Sequence, residues 1–204
     1  QLTAAPVFEA PKPVPPPAPV VASGPAELKD PACQAAVDAF KAASESPYKH
    51  VWFHYMEEVT PNGVHFVPVL IYAGKDSGLV ANQATMLFGL IQDSTGKTVL
   101  AIEEPAKFGG TKSDFFADKS LTLAPGKYSA LLGLAQGGKP VTMVRGAMEI
   151  AGLDKAAPTV ARLILSNNVF PLTSAQDPTD PYAFGGLKVI PKGDRVFTTN
   201  DELL

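Results

Sequence analysis

The sequence predicts a mainly β protein, an antiparallel β-sandwich with one short N-terminal helix and a Pro-rich extended segment before it. Three observations support this fold class. Short runs of branched and aromatic residues follow one another from residue 49 onwards, turn signals containing Gly or Pro separate them, and helical periodicity is confined to one early stretch. Strands that bury one face need a second layer to cover it, which favours a sandwich.

The composition restricts the kind of protein further. The chain has 204 residues, of which 46% are hydrophobic and 18% charged, so it can bury a sizeable core. The formal net charge is −3, and Lys and Arg are scattered rather than clustered, which argues against a nucleic-acid partner. No apolar run reaches the roughly 18 residues of a membrane span. We therefore predict that the protein does not bind nucleic acid and contains no membrane-spanning segment.

Residues 1–29 form a Pro- and Ala-rich segment that we interpret as a linker. Proline fixes φ and cannot donate a ladder hydrogen bond, so the segment is expected to be extended and polyproline-like. The alternative is a ligand for a proline-recognition domain, since Pro13-Val-Pro-Pro16 has suitable spacing. A linker of this kind would tether the following module to something else.

Residues 30–46 are predicted to contain one short helix. Asp30 suits the N-cap, and Pro31 suits the first helical position. Cys33, Val37 and Phe40 fall on one stripe at helical spacing. Because the single cysteine lies on this apolar stripe, we expect a buried thiol rather than a nucleophile, and no internal disulfide can form.

Residues 47–153 are assigned to the sandwich domain. His50–Met56 reads as its first strand, Asn62-Gly63 as a hairpin turn and Val64–Tyr72 as the second strand. Pro68 inside the second strand predicts a bulge or an edge position, because proline lacks the N–H that a ladder uses.

The next elements continue the β pattern. Thr85–Gln92 and Thr98–Ile102 flank a Gly-containing loop and predict a hairpin. Phe108–Asp118 is interpreted as a loop or a short edge strand. Two later strands, Tyr128–Ala135 and Val141–Ile150, are separated by a Gly-Gly turn.

The stretch Leu121–Leu134 supplies the most specific fold signal. It joins two apolar strands through Pro125 and Gly126, which suit a turn, and Tyr128 stands at the head of the second strand. Immunoglobulin-like sandwiches place a tyrosine corner here, whose hydroxyl bonds to backbone a few residues upstream. We therefore predict an immunoglobulin-like sandwich in which Pro125, Gly126 and Tyr128 form a structural corner.

Residues 154–204 contain further strands. Val160–Leu165 and Leu187–Ile190 read as strands, and residues 166–186 as a long polar loop. These strands either complete the sandwich or begin a second, truncated one. Because the sequence starts with Gln1 and has apolar residues at its far end, we interpret it as a segment of a longer protein.

Two sets of side chains are candidates for a ligand surface. Trp52 and His54 share one face of a strand, and His65 lies on the partner strand. A metal-dependent hydrolase could use His54 and His65 as its metal ligands. Exposed aromatic rings offer the alternative of a carbohydrate- or peptide-binding platform; the candidates are Trp52, Tyr55, Tyr72 and Tyr182. No residue is assigned to catalysis, to a cofactor or to a metal, because no convergent set stands out.

The run Leu121-Thr-Leu-Ala-Pro-Gly-Lys-Tyr128, with the strands up to Met148-Glu-Ile150, resembles immunoglobulin-like and fibronectin-III-like sandwiches of bacterial exported proteins. The run from Thr159 to Leu204 is similar to the β region of proteins with a GWxTD or a von Willebrand factor A-type domain. Their signature motifs, Gly-Trp-x-Thr-Asp and Asp-x-Ser-x-Ser, are absent. The resemblance implies a fold and an exported location (periplasm, cell envelope or outside the cell), and it carries over no functional residue.

From these observations we expect a non-catalytic structural or protein-interaction module of a larger exported bacterial protein. Its partner would be another protein or a neighbouring domain of the same polypeptide. A carbohydrate- or peptide-binding module is the alternative, and a metal-dependent hydrolase is the third hypothesis.

Overall fold

The computed structural model describes residues 27–59, 65–110, 114–151, 165–166, 168–172, 182–184 and 186–192. Helix α1 spans Pro31–Ala42. Within these ranges twelve strands follow in sequence order: β1 Val51–Tyr55, β2 Glu58–Val59, β3 His65–Gly74, β4 Thr85–Asp93, β5 Thr98–Pro105, β6 Lys107–Gly110, β7 Asp114–Thr122, β8 Gly126–Gln136, β9 Lys139–Ile150, β10 Asn168–Pro171, β11 Ala183–Phe184 and β12 Leu187–Ile190. The mainly β class is therefore confirmed. Outside the described residues lie most of the Pro-rich segment, the Asn62-Gly63 turn and residues 160–164 of the predicted strand.

Two antiparallel sheets face each other and form the predicted sandwich. Sheet A has the strand order β1-β3-β7-β6, with β2 also paired to β3, and sheet B has the order β5-β4-β8-β9. A third, small sheet has the order β10-β12-β11 and joins neither of the other two. Within the described ranges, no helix is long and apolar enough to cross a bilayer.

Alternation along the strands builds the core between the sheets. In β3, Val67, Val69 and Ile71 point into the sandwich, while Leu70 and Tyr72 belong to a separate cluster on the opposite face. Sheet B contributes Ile91, Leu132 and others to the inner core. Each fully buried Val, Leu or Ile stabilises the fold by about 1.5–3 kcal/mol, so this core supplies the main driving force for closing the two sheets.

Helix α1 covers the outer face of sheet B. The Asp30 carboxylate caps the helix by accepting hydrogen bonds from the backbone N–H of Ala32 at 2.8 Å and of Cys33 at 3.3 Å. Cys33, Val37 and Phe40 are buried against this face. The predicted N-cap, apolar stripe and buried thiol are thus confirmed, and the helix ends four residues earlier than the predicted boundary at 46.

The small sheet lies over the outer face of sheet A. Tyr182 and Ile190 are both fully buried there, in one cluster with Met56, Leu70 and Tyr72. The segment predicted as a long loop, residues 166–186, in fact contains β10 and β11. The prediction failed there because these strands are short and each is completed only by pairing with β12.

Two sequence-based predictions inside sheet A were also wrong. Pro68 lies in β3, and β3 is a central strand with β1 on one side and β7 on the other. The side of Pro68 that lacks an N–H faces the break between β1 and β2, so it does not lie at an outer edge of the sheet. Phe108–Asp118 is not a loop or a single edge strand, because it contains the edge strand β6 and most of β7, a central strand. The charged residue Asp118 obscured the strand pattern of β7, since a buried carboxylate is rare in a central strand.

The sandwich is joined at both lateral edges. On one side the backbone passes from β5 in sheet B to β6 in sheet A through Ala106 alone. On the other side β1 contacts β9: the Phe53 ring packs on Gly146, and the Tyr55 hydroxyl accepts a hydrogen bond from the Glu149 backbone N–H at 2.8 Å. The two sheets are therefore linked along both of their lateral edges.

Candidate functional site

The predicted structural corner links the two sheets. Leu121 belongs to β7 in sheet A, and Tyr128 belongs to β8 in sheet B. The Tyr128 hydroxyl donates a hydrogen bond to the carbonyl oxygen of Ala124 at 2.9 Å, which is the backward bond expected of a tyrosine corner. The Tyr128 ring lies close to Gly126, where a Cβ atom would meet it at 3.4 Å. The Tyr128 hydroxyl is thus engaged in holding the turn between β7 and β8.

Neighbouring side chains surround Trp52 and His54, two residues of the predicted ligand surface. Trp52 and His54 lie on the outer face of sheet A and are half-buried. The indole stands between the rings of His50 and Tyr72, with centroids 6.2 and 6.0 Å away. His54 contacts Tyr182, whose hydroxyl lies 3.4 Å from its Nδ1. Trp52 is therefore a half-buried member of an aromatic row and not a freely exposed ring.

The other aromatic candidates do not extend an exposed platform. Tyr72 and Tyr182 are buried under the small sheet, and Tyr55 is buried on the opposite face of sheet A, in the inner core. The Tyr182 hydroxyl donates to the carbonyl oxygen of Pro68 at 3.2 Å. These buried rings serve the packing of the fold instead of facing a ligand.

The strand register separates the two histidines proposed as metal ligands. His54 pairs with Leu70, whereas His65 pairs with Val59 at the start of β3. Leu70 and His65 are five positions apart on β3, and an extended strand covers about 17 Å over that distance. Across the described ranges, no group of three or more His, Cys, Asp or Glu side chains is placed to hold a metal ion.

An open groove at one end of the sandwich was not predicted from the sequence. It has a volume of about 640 Å³, within the roughly 300–1,000 Å³ typical of ligand pockets. One wall is the segment 81–85 that leads into β4, and the other is the backbone from Ala106 through β6. The rings of Phe108 and Phe115, stacked with centroids 5.2 Å apart, line it, as does Lys75.

Lys75 is the cation of the groove. Its ammonium lies 3.7 Å from the centroid of the Phe115 ring, and the side chain is exposed. Two neighbouring carboxylates have other partners: Asp76, the next residue, pairs with His50 at 2.5 Å, and Asp114, opposite Gly74, accepts from the Tyr72 hydroxyl at 2.9 Å. Among the ion pairs of the described residues, none involves Lys75.

A buried glutamine fixes the wall of the groove. Gln136 donates from its Nε2 to the Val80 carbonyl at 3.0 Å and to the Thr85 hydroxyl at 2.9 Å. Its Oε1 accepts from the Val80 backbone N–H at 2.9 Å. These bonds hold the segment before β4 at the end of β8. No local sequence pattern signals this role, because the contacts join residues 51 and 56 positions apart.

The groove borders a free strand edge. Antiparallel strands direct the backbone groups of alternate residues to opposite sides. The Gly74 N–H donates to the His50 carbonyl, so Gly74 and every second residue of β3 direct their backbone groups toward β1. Following the register from β3 through β7 to β6, Lys107 and Gly109 direct their backbone groups toward β7. Phe108 and Gly110 therefore direct their N–H and C=O groups away from β7, on the same side as the Ala106 N–H that bonds to Thr85 at 2.9 Å.

Comparisons of the sequence and fold with protein-family models, with curated proteins and with solved structures found no match. Any functional conclusion therefore depends on the geometry of the protein itself.

Proposed function

We propose that the protein is a non-catalytic β-sandwich module that binds a protein partner. The observation that carries this proposal is the groove beside β6. It combines stacked aromatic rings, amide side chains and a cation with backbone groups at a strand edge, which is the mixture that polypeptide ligands use. The large faces of both sheets are covered by α1 and the small sheet, so they serve the fold rather than a partner.

We also propose that the sandwich is immunoglobulin-like. If its eight main strands (β1, then β3 to β9) are lettered A, B, C, C′, D, E, F and G, sheet A has the order A-B-E-D and sheet B the order C′-C-F-G. The tyrosine corner then lies at the junction of strands E and F. Both features support the assignment, because immunoglobulin-type sandwiches share them.

An exported location, in a larger bacterial protein, completes the proposal. Its support is the resemblance of the Leu121–Tyr128 run to sandwiches of exported proteins and the Pro-rich segment before the helix. In such a protein the module would hold a partner protein or a neighbouring domain.

The two alternative functions receive less support from the geometry. A sugar platform needs an exposed ring face, and the described tyrosine candidates, Tyr55, Tyr72 and Tyr182, are buried. A titration with glycans should therefore leave the Trp52 fluorescence unchanged, and a saturable change would favour the carbohydrate-binding alternative. A hydrolase using His54 and His65 needs both side chains at one site, whereas the register separates these positions along the strand.

Partner binding can be tested with the purified wild-type protein. Biotinylated protein is incubated with an envelope extract of the source organism and cross-linked, and the captured protein is then produced separately. We expect a saturable complex of fixed stoichiometry in a reconstituted binding titration. The proposal fails if no captured protein binds after purification, or if the purified module by itself turns over ester, phosphate or glycoside substrates.

A further inference from the structure

The free edge of β6 faces the groove beside it. The ladder that joins sheet B to this part of the molecule ends with the bond from the Ala106 N–H to the Thr85 carbonyl. Beyond that bond, the residues before β4 diverge from β6, and the groove occupies the space between them. Phe108 and Gly110 turn four backbone groups toward this space. In the described part of the protein, neither residue has a hydrogen bond outside the β7 ladder.

Gly109 and Gly110 make this edge accessible to another backbone. A Cβ at Gly109 would lie only 2.5 Å from the Phe116 ring, so packing within sheet A requires that glycine. A Cβ at Gly110 would meet its nearest neighbours, including the Lys75 ammonium, at 3.4 Å, so packing alone does not require Gly110. Glycine within a strand often marks a place where another backbone approaches closely, and Gly110 leaves room for such an approach.

We propose that this edge binds an extended segment of a partner protein by strand addition, with a carboxylate of that segment at Lys75. The inference rests on the proposed protein-binding function and gives it a site and a ligand chemistry. The segment pairs with Phe108 and Gly110, places alternate side chains against the stacked rings of Phe108 and Phe115, and meets the Lys75 ammonium with negative charge. The carboxylate belongs either to an acidic side group or to the C-terminus of the partner.

The short edge limits the length of the guest segment. Four residues of β6 extend over about 10 Å, so three to five guest residues can pair with it. The wall before β4, held by Gln136, stands opposite β6, so a guest segment lies between two fixed backbones. A groove of about 640 Å³ has the size of a small-ligand site, which suits a short extended segment better than a folded surface.

The test selects ligands without assuming their sequence. A phage-displayed library of random heptapeptides is panned against the wild-type protein, and enriched peptides are synthesised with free and with amidated C-termini. Their affinities are measured by fluorescence polarisation. If the C-terminal carboxylate is the recognised group, amidation weakens binding about tenfold; if an acidic side group is recognised, replacing that residue by its amide does so.

Two matched variants at one position isolate the strand edge. Gly110→Ala keeps the outward N–H, so we expect binding within about threefold of wild type. Gly110→Pro removes that N–H and fills its position with the ring, so we expect binding at least about tenfold weaker. Lys75→Met should weaken binding about threefold to tenfold at low salt and less at high salt. Circular dichroism checks that each variant is folded.

A measurement on the wild-type protein addresses the case in which Gly110→Pro does not fold. Peptide binding should shift the backbone amide resonances of Phe108 and Gly110 and slow the hydrogen exchange of both N–H groups. Shifts centred on Trp52 instead would overturn the proposal.

Three further outcomes would also overturn it. They are a panning experiment with no enriched peptide, peptides that bind Gly110→Pro as tightly as wild type, and self-association of the protein that Gly110→Pro abolishes. If the captured partner binds the wild type and Gly110→Pro equally, strand addition fails while the protein-binding function stands.

Discussion

A single hydroxyl group holds the structural corner between the two sheets. The Tyr128 hydroxyl bonds to the Ala124 carbonyl, and burial, followed by the charge of Asp93, raises the pKa of this tyrosine. The neutral form is therefore favoured in the folded state. Because only the neutral hydroxyl can donate to Ala124, the corner and the protonation state depend on each other.

Replacing Tyr128 with phenylalanine should lower the free energy of unfolding by about 1 kcal/mol, because a half-buried carbonyl loses its partner. The measurement is denaturant unfolding at pH 7. Tyr48→Phe is the matched control, since Tyr48 packs on Phe40 and the hydrogen bonds found for it use its backbone rather than its hydroxyl. Equal stability of Tyr128→Phe and wild type would show that the corner bond contributes nothing.

The pH dependence of Tyr128 has a definite sign. Its folded pKa lies above the unfolded value of 10.0, so the associated stability is fully present below pH 10 and is lost as the pH rises through the folded pKa. Wild type should therefore lose more stability than Tyr128→Phe as the pH rises from about 9 to about 11, as measured by thermal unfolding. Parallel pH curves for the two proteins would contradict this assignment.

The thiol of Cys33 should be unreactive in the folded protein. The side chain is fully buried, and burial, assisted by Asp30 and Glu103, raises the pKa of the thiol from 9.0 to about 11. An aromatic disulfide reagent at pH 8 should therefore label it only as fast as the protein opens, and at once in denaturant. Rapid labelling of the native protein would show that α1 leaves sheet B more freely than its packing indicates.

At the scale of elements, a buried ion pair fastens the small sheet to sheet A. The Lys188 ammonium lies 2.5 Å from a carboxylate oxygen of Asp118, and both side chains are largely removed from solvent. Local sequence cannot reveal such a partnership, because the two residues are 70 positions apart. This is why β7, with a carboxylate in its middle, does not look like a central strand, whereas α1, with its cap and stripe within one short segment, is predictable.

Removing one member of this pair should be costly. Lys188→Met leaves the Asp118 carboxylate buried without its closest cation, so we expect a loss of about 3 kcal/mol in the free energy of unfolding. The double variant Asp118→Asn with Lys188→Met should recover most of that loss, and a double-mutant cycle by denaturant unfolding measures the coupling. Additive effects of the two changes would show that the pair does not fasten the small sheet.

At the scale of the whole molecule, the sandwich depends on a close approach of β1 to β9. A Cβ on Gly146 would lie 2.0 Å from the Phe53 ring, so any side chain there forces that ring out of its position between β1 and β9. Alternation and turns, which are local, were enough to predict the sandwich from the sequence. They did not predict this contact, the groove or the free edge, because all three arise where distant strands meet.

Gly146→Ala should therefore destabilise the protein by about 1–3 kcal/mol, the range of overpacked cores. The double variant Gly146→Ala with Phe53→Leu should be more stable than Gly146→Ala alone, since a smaller side chain gives the new methyl group room. Gly110→Ala serves as a control for the general effect of removing a glycine, because Gly110 has no positive φ and a Cβ there meets its nearest neighbours at 3.4 Å. The melting temperatures of Gly146→Ala, the double variant and the control, measured by thermal unfolding, distinguish these effects.

The contact between β1 and β9 also determines how the module bears tension. Phe53 meets Gly146, and Tyr55, further along β1, meets Glu149, further along β9, so the two strands run in the same direction where they touch. A pull applied before Val51 and after Ile150 acts at opposite ends of this pair and loads its contacts in shear. They must then break together rather than one after another, so we expect the sandwich to resist a pull in this direction.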